Sequence, residues 1–335
     1  MSKILTVVVP SYNVEKYMEQ NLQSFVIDEV MNDIEVLVVN DGSTDKTEAL
    51  AKEYEKRYPG TFRVINKKNG GHGSTINCGI KEASGKYFKV VDADDWVLKE
   101  GFIHLVETLK HSDSHVVVSN FYWYHDKKKT RTVEIKEPFA QVEYKREYTF
   151  GQVGKDLYVK MHGMTIQTQI LRKIPPLDEH CFYVDVEYAL FPIPFVETFT
   201  FIEDFVYMYR IGLAQQSMII KKMQKNAEDF NRVFQRMFAF YRECRENEIS
   251  SEKLHYIEQY LGRIVASKYK IYLSLPYDKK IKQEMVALDL KIKSEYPNVY
   301  YGVRQKAVLL LRKSNYNLYY IAQKAYKTLE RMKSL

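Results

Sequence analysis

The chain has 335 residues, 45% of them hydrophobic and 28% charged, which predicts a globular protein with room for two or three domains. Its apolar runs are too short to span a bilayer, and its start lacks the small-residue cleavage region of a signal peptide. The three cysteines are scattered, which argues against a disulfide framework or a zinc site and favours a reducing cytoplasm. The net charge of +7 lies in residues 301–335, where eight Lys or Arg accompany one acid.

Residues 1–110 alternate strand and helix patterns. The strands are predicted at 4–9, 34–39, 62–65 and 87–91. The helices are predicted at 14–25, 46–58, 74–83 and 101–110. This alternation predicts a mostly parallel sheet that is covered by helices on both faces.

The remaining chain changes character twice. A β-hairpin is predicted over 116–135, and residues 157–220 mix short helical and strand patterns. From about 221 the apolar spacing is helical, which predicts four helices. They are predicted at 223–246, 252–274, 279–295 and 303–332.

The densest group of carboxylates, Asp92, Asp94 and Asp95, follows the fourth predicted strand directly. Three acids within four residues repel one another, so the group is costly unless a cation or hydrogen-bond donors offset its charge. Ligands of open α/β sheets bind at the carboxyl ends of the strands. The group therefore predicts a metal held against a phosphorylated ligand. The alternative is a helix-capping turn, and Asp95 is expected to cap a helix that starts near Trp96.

Four segments occur in order along the first hundred residues: VPSYN at 9–13, VNDGSTD at 39–45, NGG at 69–71 with NCG at 77–79, and VDADDW at 91–96. Together they resemble the family 2 glycosyltransferases, the GT-A-fold group that moves a sugar from a nucleotide-sugar donor to an acceptor. Further on, FYVDVEY at 182–188 resembles the acidic catalytic segment of the family. YRIG at 209–212 with QQS at 215–217 resembles a segment common in its bacterial members.

The resemblance implies an α/β GT-A nucleotide-sugar-binding fold, a mostly parallel sheet flanked by helices, with a helical C-terminal region. Residues 1–112 are then the nucleotide-sugar-binding half, and 113–220 are the acceptor-binding and catalytic-base half of the same domain. Residues 221–335 are the helical region, basic at its end. The expected cofactor is Mn²⁺ or Mg²⁺, which offsets charge on the leaving nucleoside diphosphate. Its expected ligands are Asp94 and Asp92, and Asp92 is also a candidate for contact with the ribose.

Further donor contacts are expected at strand ends and in a glycine-rich loop. The expected residues are Pro10, Tyr12, Asn13, Asp41, Asn69, Gly71, His72, Asn77 and Asp92. Asp41 is a candidate acceptor for the uracil N3–H, or belongs only to a tight turn. Tyr12 contacts the base or is a packed rim aromatic, and His72 donates to phosphate or is only solvated.

One position departs from the family pattern in the donor region. Many members carry Arg directly before the asparagine that corresponds to Asn77, and this chain has Ile76. Backbone N–H groups of the loop at 69–73 can still approach phosphate closely. His72, Lys68 or another basic residue is then expected to replace the arginine, or its role is left unfilled.

An inverting transferase needs a base that takes the proton of the acceptor hydroxyl. Asp185 matches the aspartate of the Glu-Asp pair of the family, and Val184 stands where the glutamate usually is. Glu187 is the reserve candidate. The two acids share a face if the segment is extended and diverge if it is helical. The alternative is that both are surface acids on an irregular segment.

The sequence is therefore interpreted as a metal-dependent inverting hexosyl- or N-acetylhexosaminyltransferase. UDP is the favoured nucleotide, and the acceptor is a glycan or a lipid-linked or protein-linked molecule of bacterial surface polysaccharide assembly. Two alternatives stay open. A non-catalytic nucleotide-sugar-binding scaffold would explain Val184 and Ile76. A nucleotidyltransferase has a similar sheet and acids, but it usually carries a more basic glycine-rich loop.

The C-terminal pattern predicts a basic amphipathic helix within 301–335. Three partners are considered for it. The favoured interpretation is that the helix packs on the preceding helices or in an oligomer contact. The alternative is that it meets an anionic membrane surface at the inner face of the plasma membrane. Nucleic acid is not expected, because no binding motif accompanies the charge.

Overall fold

The computed structural model describes residues 3–133, 142–153, 157–213 and 220–334. The end of the predicted hairpin (134–135) and the segment at 215–217 lie outside the described residues. The chain divides into two units, Met1–Leu213 and Ala214–Leu335. The first is an α/β unit built on a sheet, and the second is helical. The predicted fold class is therefore confirmed, while the division of the first unit at 112 into donor and acceptor halves stays a prediction.

Ten strands of the described residues form one mixed sheet in the first unit. The strands are β1 (Leu5–Ser11), β2 (Ile34–Asn40), β3 (Phe62–Asn66), β4 (Tyr87–Val90), β5 (Trp96–Val97), β6 (Val116–His125), β7 (Thr130–Thr132), β8 (Glu147–Thr149), β9 (Met164–Gln167) and β10 (Thr198–Ile211). The main order is β3-β2-β1-β4-β9-β6-β10-β5, with β7 on β6 and β8 on β10.

The pairing divides the sheet into two parallel parts. β1, β2, β3 and β4 pair in parallel, as do β6 and β10. Between these parts lies β9, which is antiparallel to both β4 and β6. The carboxyl ends of β1, β2 and β4 therefore meet at one edge, which is where ligands bind in such sheets.

Helices cover the first unit on both faces of its sheet. They are α1 (Glu15–Gln23), α2 (Thr47–Arg57), α3 (His72–Glu82), α4 (Lys99–His111), α5 (Thr168–Leu171) and α6 (Asp185–Leu190), with 3₁₀ turns at Phe150–Gln152, Met161–Gly163 and Ile193–Phe195. Leu5, Val7 and Val9 of β1 belong to the core that includes α1, α2 and α4. On the opposite face Val8 meets Gly79 of α3, where a Cβ would lie 2.4 Å from Val8 Cγ2. Close packing of α3 therefore requires glycine at this position.

Two sequence predictions about helices are wrong. No helix starts near Trp96: Trp96 and Val97 form β5, antiparallel to β10, and α4 begins at Lys99. Asp95 therefore caps nothing. The single helix predicted over 303–332 is two helices, because Asn315 and Tyr316 adopt left-handed conformations with φ of 47° and 61°.

The second unit is a set of helices in the part of the chain from 220 to 334. They are α7 (Ile220–Lys225), α8 (Ala227–Glu246), α9 (Ser251–Ser274), α10 (Lys279–Glu295), α11 (Pro297–Gly302), α12 (Lys306–Lys313) and α13 (Tyr319–Ser334). Among the residues that the structure describes, no helix is both long and apolar enough to cross a membrane.

A buried ion pair joins α10 and α12. Arg312 donates from Nη2 to Asp289 Oδ1 at 2.7 Å and from Nε to Oδ2 at 3.1 Å. The Tyr316 hydroxyl also donates to this carboxylate. Arg312 Nη1 donates to the Tyr300 carbonyl at 2.7 Å, and its guanidinium lies 3.7 Å from the centre of the Tyr300 ring. The Asp289 carboxylate and the Arg312 guanidinium therefore both have hydrogen-bond partners, as buried charges require.

We predict that Asp289→Ala lowers the free energy of unfolding by about 3–5 kcal/mol, because it leaves the Arg312 guanidinium buried without its counter-charge. Urea unfolding followed by circular dichroism measures the change. The double variant Asp289→Leu/Arg312→Met removes both charges and should lose less stability than Asp289→Ala. A loss below about 1 kcal/mol for Asp289→Ala, the size of a surface pair, would contradict a buried pair.

Candidate active site

The turn that carries the acids is anchored by one of them. Asp95 is buried, and its carboxylate accepts hydrogen bonds from the Tyr207 hydroxyl at 2.6 Å and from the Arg210 backbone N–H at 2.7 Å. Asn21 of α1 donates from Nδ2 to the Asp95 carbonyl at 2.8 Å and to the Asp92 carbonyl at 3.1 Å. The turn is thereby fixed between α1 and β10. Asp95 serves as its anchor, in place of the predicted helix cap.

Asp92 and Asp94 remain partly exposed on the same turn. Burial and the neighbouring Asp92 charge raise the pKa of Asp94 to about 6. Burial, with the charges of Asp94 and Asp92, also raises the pKa of Asp95 well above its usual range. The repulsion expected from the sequence is therefore present, and a bound cation would relieve it.

His72, the first residue of α3, faces this turn. Its Nε2 lies 2.7 Å from Asp92 Oδ1. Burial alone would lower the pKa of His72, but the Asp92 carboxylate, with Asp185 and Asp94 beyond it, raises it. The raised pKa favours the protonated form of His72 beside the acids, and the contact with Asp92 distinguishes it from a solvated loop histidine.

The glycine-rich loop is held by Asp41. Its carboxylate, only 3% exposed, accepts from Lys67 Nζ at 2.7 Å. It also accepts from the backbone N–H groups of Gly70 at 2.9 Å and Gly71 at 2.8 Å. Asn69 donates from Nδ2 to the Asp41 carbonyl at 2.9 Å. The arrangement favours a positioning role for Asp41 over direct contact with a uracil. Lys67 joins Lys68 and His72 as a basic residue at this loop.

The end of β1 presents a different set of groups. Pro10 lies in the strand, and Tyr12 just beyond it is 52% exposed. Asn13 has φ of 52°, and its Oδ1 accepts from the Thr44 N–H at 2.8 Å. The Asn13 N–H donates to Ser43 Oγ at 3.0 Å. Asn13 thus ties the first two family-like segments together, and the exposed Tyr12 ring stays a candidate for contact with a base.

Helix α3 is fastened to the segment that precedes α6. Asn77 accepts from the Leu177 N–H at 2.9 Å and donates to the Leu177 carbonyl at 2.9 Å. A Cβ on Gly73 would lie 2.2 Å from the Asp178 carbonyl oxygen, so only glycine allows this approach. Asn77, which was predicted to contact the nucleotide-sugar donor, therefore connects α3 to the segment before α6.

The two candidate bases diverge because their segment is helical. Glu187 is fully buried, and its Oε2 accepts from the Asp178 N–H at 2.8 Å. Asp185 is the exposed first residue of α6, and the charges of His72 and Asp92 act on it. The geometry therefore favours Asp185 over Glu187 as a group that meets an acceptor.

Arg210 had no role in the sequence analysis, although its segment resembled the family. Its guanidinium donates to the Asp94 carbonyl at 2.7 Å, to Asp126 Oδ1 at 2.5 Å and to Gln20 Oε1 at 2.6 Å. The side chain thus holds the backbone of the acidic turn and places positive charge beside Asp94. No spacing rule indicates a contact between residues so far apart in sequence.

One group of side chains has the composition of a metal site. Ligand atoms of Asp92, Asp95 and His162 lie within 4.8 Å of one another. Carboxylates suit Mg²⁺ and Mn²⁺, and an imidazole adds a nitrogen donor, so the residues fit a divalent cation. Asp94, a predicted ligand on the same turn, is not in this group. No pattern in the sequence indicates His162, a lone histidine outside every motif.

The fold and the acidic edge together are those of a GT-A transferase. Residues 6–174, just over half of the chain, match the model described as glycosyl transferase family 2. The chain therefore belongs to this family, which confirms the resemblance seen in the sequence. It is 38% identical over 122 residues to EpsJ of Bacillus subtilis, named an uncharacterised glycosyltransferase. That match covers 36% of this chain and only 35% of EpsJ.

Solved structures share the fold at low identity. TarS of S. aureus, residues 1–349 in complex with UDP-GlcNAc, has a TM-score of 0.65 and 18% identity, covering 97% of this chain and 92% of that one. The mannosyltransferase PcManGT of Pyrobaculum calidifontis, in complex with GDP-Man and Mn²⁺, has a TM-score of 0.53 and 14% identity, covering 97% and 87%. Both likenesses support the same architecture over nearly the whole chain.

We predict that Asn77→Ala lowers turnover about tenfold while nucleotide affinity stays unchanged. The variant loses the two hydrogen bonds to Leu177, each of about 1 kcal/mol, that hold the segment starting at residue 177. Steady-state kinetics and nucleotide titration measure the two quantities. Hydrogen exchange of the amides at 177–181 should accelerate in the same variant. Lys81→Ala, on the exposed side of α3, is the matched control. A weaker nucleotide affinity at unchanged turnover would instead make Asn77 a donor contact.

Proposed function

We propose that the protein is an inverting glycosyltransferase that uses a nucleotide-sugar donor and a divalent metal. The observation that carries the proposal is the meeting of Asp185, His72 and the Asp92–Asp94 turn at one edge of a family 2 fold. A base, a cation and metal-binding carboxylates are the groups that single displacement at an anomeric carbon needs.

Each group has a proposed role. Asp94 and Asp92 hold Mn²⁺ or Mg²⁺, which when bound offsets charge on the diphosphate of the donor. His72 contributes positive charge at the same place, where Ile76 leaves the usual arginine missing. The N–H groups of Gly70 and Gly71 already bind the Asp41 carboxylate, so Asn69 and Gly71 are proposed to shape the loop that faces the phosphates.

The acceptor side is proposed from Asp185. Because it is exposed at the start of α6, its carboxylate is open to an incoming hydroxyl, whose proton it takes as the carbon is attacked. Desolvation, with the charge of Asp92, raises the pKa of Asp185, which makes its carboxylate a stronger base. Val184, a buried residue, stands where the family pair has its glutamate, so position 184 supplies no second acid.

UDP is the proposed nucleotide, and a hexose or N-acetylhexosamine is the proposed sugar. TarS in complex with UDP-GlcNAc supports this choice. Because PcManGT was solved with GDP-Man, GDP-sugars are the donors against which UDP-sugars should be compared. The acceptor is proposed to be a glycan or a lipid-linked molecule of surface polysaccharide assembly at the cytoplasmic face of the membrane. Nucleic acid is not proposed as a partner.

We predict that Asp185→Asn lowers sugar transfer about 10²–10⁴-fold while donor binding is retained, because an amide cannot take the proton. Release of nucleoside diphosphate from UDP- and GDP-sugars with Mn²⁺ measures the first effect. Thermal stabilisation by the same donors measures the second. Asp113→Asn, an acid whose side chain is 95% exposed, is the control and should behave as wild type.

The two alternatives give different results in these assays. A wild-type protein that is stabilised by donors but releases no nucleoside diphosphate with any acceptor would be a scaffold. Release of pyrophosphate from a nucleoside triphosphate would indicate a nucleotidyltransferase. Either result would replace the proposed function.

A membrane-surface contact is proposed for the described part of 301–335. The outward faces of α12 and α13 expose Leu309, Leu310 and Ile321, of which Ile321 is 62% exposed. Lys306, Lys313 and Lys324 share these exposed faces, and residues 301–329 contain no acid. Packing alone does not require exposed leucines beside lysines, whereas an anionic bilayer surface accepts both.

We predict that the protein binds vesicles containing phosphatidylglycerol and that Leu309→Ser/Leu310→Ser/Ile321→Ser lowers the partition coefficient about tenfold or more, because apolar area no longer enters the interface. Sedimentation with vesicles measures binding. Leu290→Ser, an exposed leucine of α10, should bind as wild type. Equal binding to neutral and anionic vesicles, or none to either, would contradict the proposal.

A further inference from the structure

His162 occupies a 3₁₀ turn, Met161–Gly163, directly before β9. Its ring packs among aromatic side chains, with the Tyr209 ring centre 4.3 Å away, Tyr207 5.0 Å away and Phe121 5.3 Å away. These rings come from β6 and β10, which pair with each other in the sheet. The imidazole is therefore confined to a narrow range of positions beside Asp92.

The backbone of this turn is held from two directions. Lys89, a fully buried residue of β4, donates from Nζ to the His162 carbonyl at 2.8 Å and to the Met164 carbonyl at 3.3 Å. A Cβ on Gly163 would lie 2.7 Å from the Ser119 carbonyl oxygen, so the turn approaches β6 more closely than another residue allows. The position of the His162 ring is thus set by its support and does not depend on hydrogen bonds of its own.

One polar atom of the ring, Nδ1, has no evident structural use. Among the residues that the structure describes, the buried Nδ1 of His162 has no hydrogen-bond partner. A buried polar atom without a partner is unfavourable and calls for an explanation. A neutral imidazole carries one N–H and one nitrogen lone pair, and the lone pair can bind a metal ion. A neutral imidazole beside carboxylates is a metal ligand, and it is poorly suited to hold phosphate by charge.

We infer that His162 is a protein ligand of the divalent cation, completing with Asp92 a site that the acidic turn alone does not provide. The inference rests on the proposed metal-dependent transfer. Two atoms that each bind a metal at about 2.1 Å can lie at most about 4.2 Å apart. The observed limit of 4.8 Å for Asp92, Asp95 and His162 therefore closes with a small movement.

A nitrogen ligand changes which ion the site prefers. Mg²⁺ is a hard cation that takes oxygen ligands and keeps much of its water, whereas transition-metal ions accept imidazole. The site therefore favours Mn²⁺ over Mg²⁺, and the preference resides in His162. Asp95, whose oxygens already accept from Tyr207 and Arg210, supports the turn behind the two ligands.

The test is electron spin echo spectroscopy of Mn²⁺ bound to the full chain, alone and with UDP. We expect nitrogen-14 modulation from a directly bound imidazole in the wild type, and its loss in His162→Gln. His72→Gln, which removes the other histidine beside Asp92, should keep the modulation. Continuous-wave titration of free Mn²⁺ should show an affinity about 10–100-fold lower in His162→Gln, with a much smaller change for Mg²⁺.

The possible outcomes separate the role of His162 from the metal dependence of the protein. Bound Mn²⁺ without nitrogen-14 modulation in the wild type, or modulation that survives in His162→Gln, overturns the role of His162 and leaves the proposed transferase intact. No Mn²⁺ binding by the wild type, alone or with UDP, overturns the metal dependence itself. His104→Gln, an exposed histidine of α4, controls for substitution of a histidine elsewhere, and matching melting temperatures exclude misfolding.

Discussion

The mutual repulsion of three carboxylates in one turn is the constraint on which this protein is built. The turn follows β4, and one of its acids, Asp95, is buried and bound by Tyr207 and Arg210 of β10. That anchor holds Asp92 and Asp94 at the open edge of the sheet, where burial and the Asp92 charge raise the pKa of Asp94. Fold and site are therefore inseparable here, since a core strand supplies the donors that make the charged turn tolerable.

A second set of contacts links the two sides of the site. Asp41 holds the glycine-rich loop, the loop begins α3, and Asn77 of α3 holds the segment before α6. The chain of contacts continues through the Asp178 N–H, which donates to Glu187 of α6, the helix that Asp185 begins. Groups proposed to meet the donor and the acceptor thus share one rigid support, which suits a reaction that depends on orientation. His72, at the start of α3, lies at the junction of both sides.

Sequence patterns predict what is local and miss what is distant. Buried β-branched runs predict β1 and β2 well, because each strand lies within the parallel part of the sheet. The acids of the turn follow from their own repulsion. The anchoring of Asp95, however, depends on donors more than a hundred positions away, and a capping turn looks the same locally. His162 is one histidine in a short turn, whose value comes only from the residues packed around it.

The late position of β10 in the sequence affects how the acidic turn forms during synthesis of the chain. Asp92 and Asp95 come early, but the hydroxyl and N–H groups that hold them are separated from them by 112 to 115 positions. The early strands can pair as they leave the ribosome, whereas the acidic turn gains its support only once β10 has emerged and docked beside β6. Closure of such distant contacts is slow, so the competent edge of the sheet is the last part of the first unit to mature.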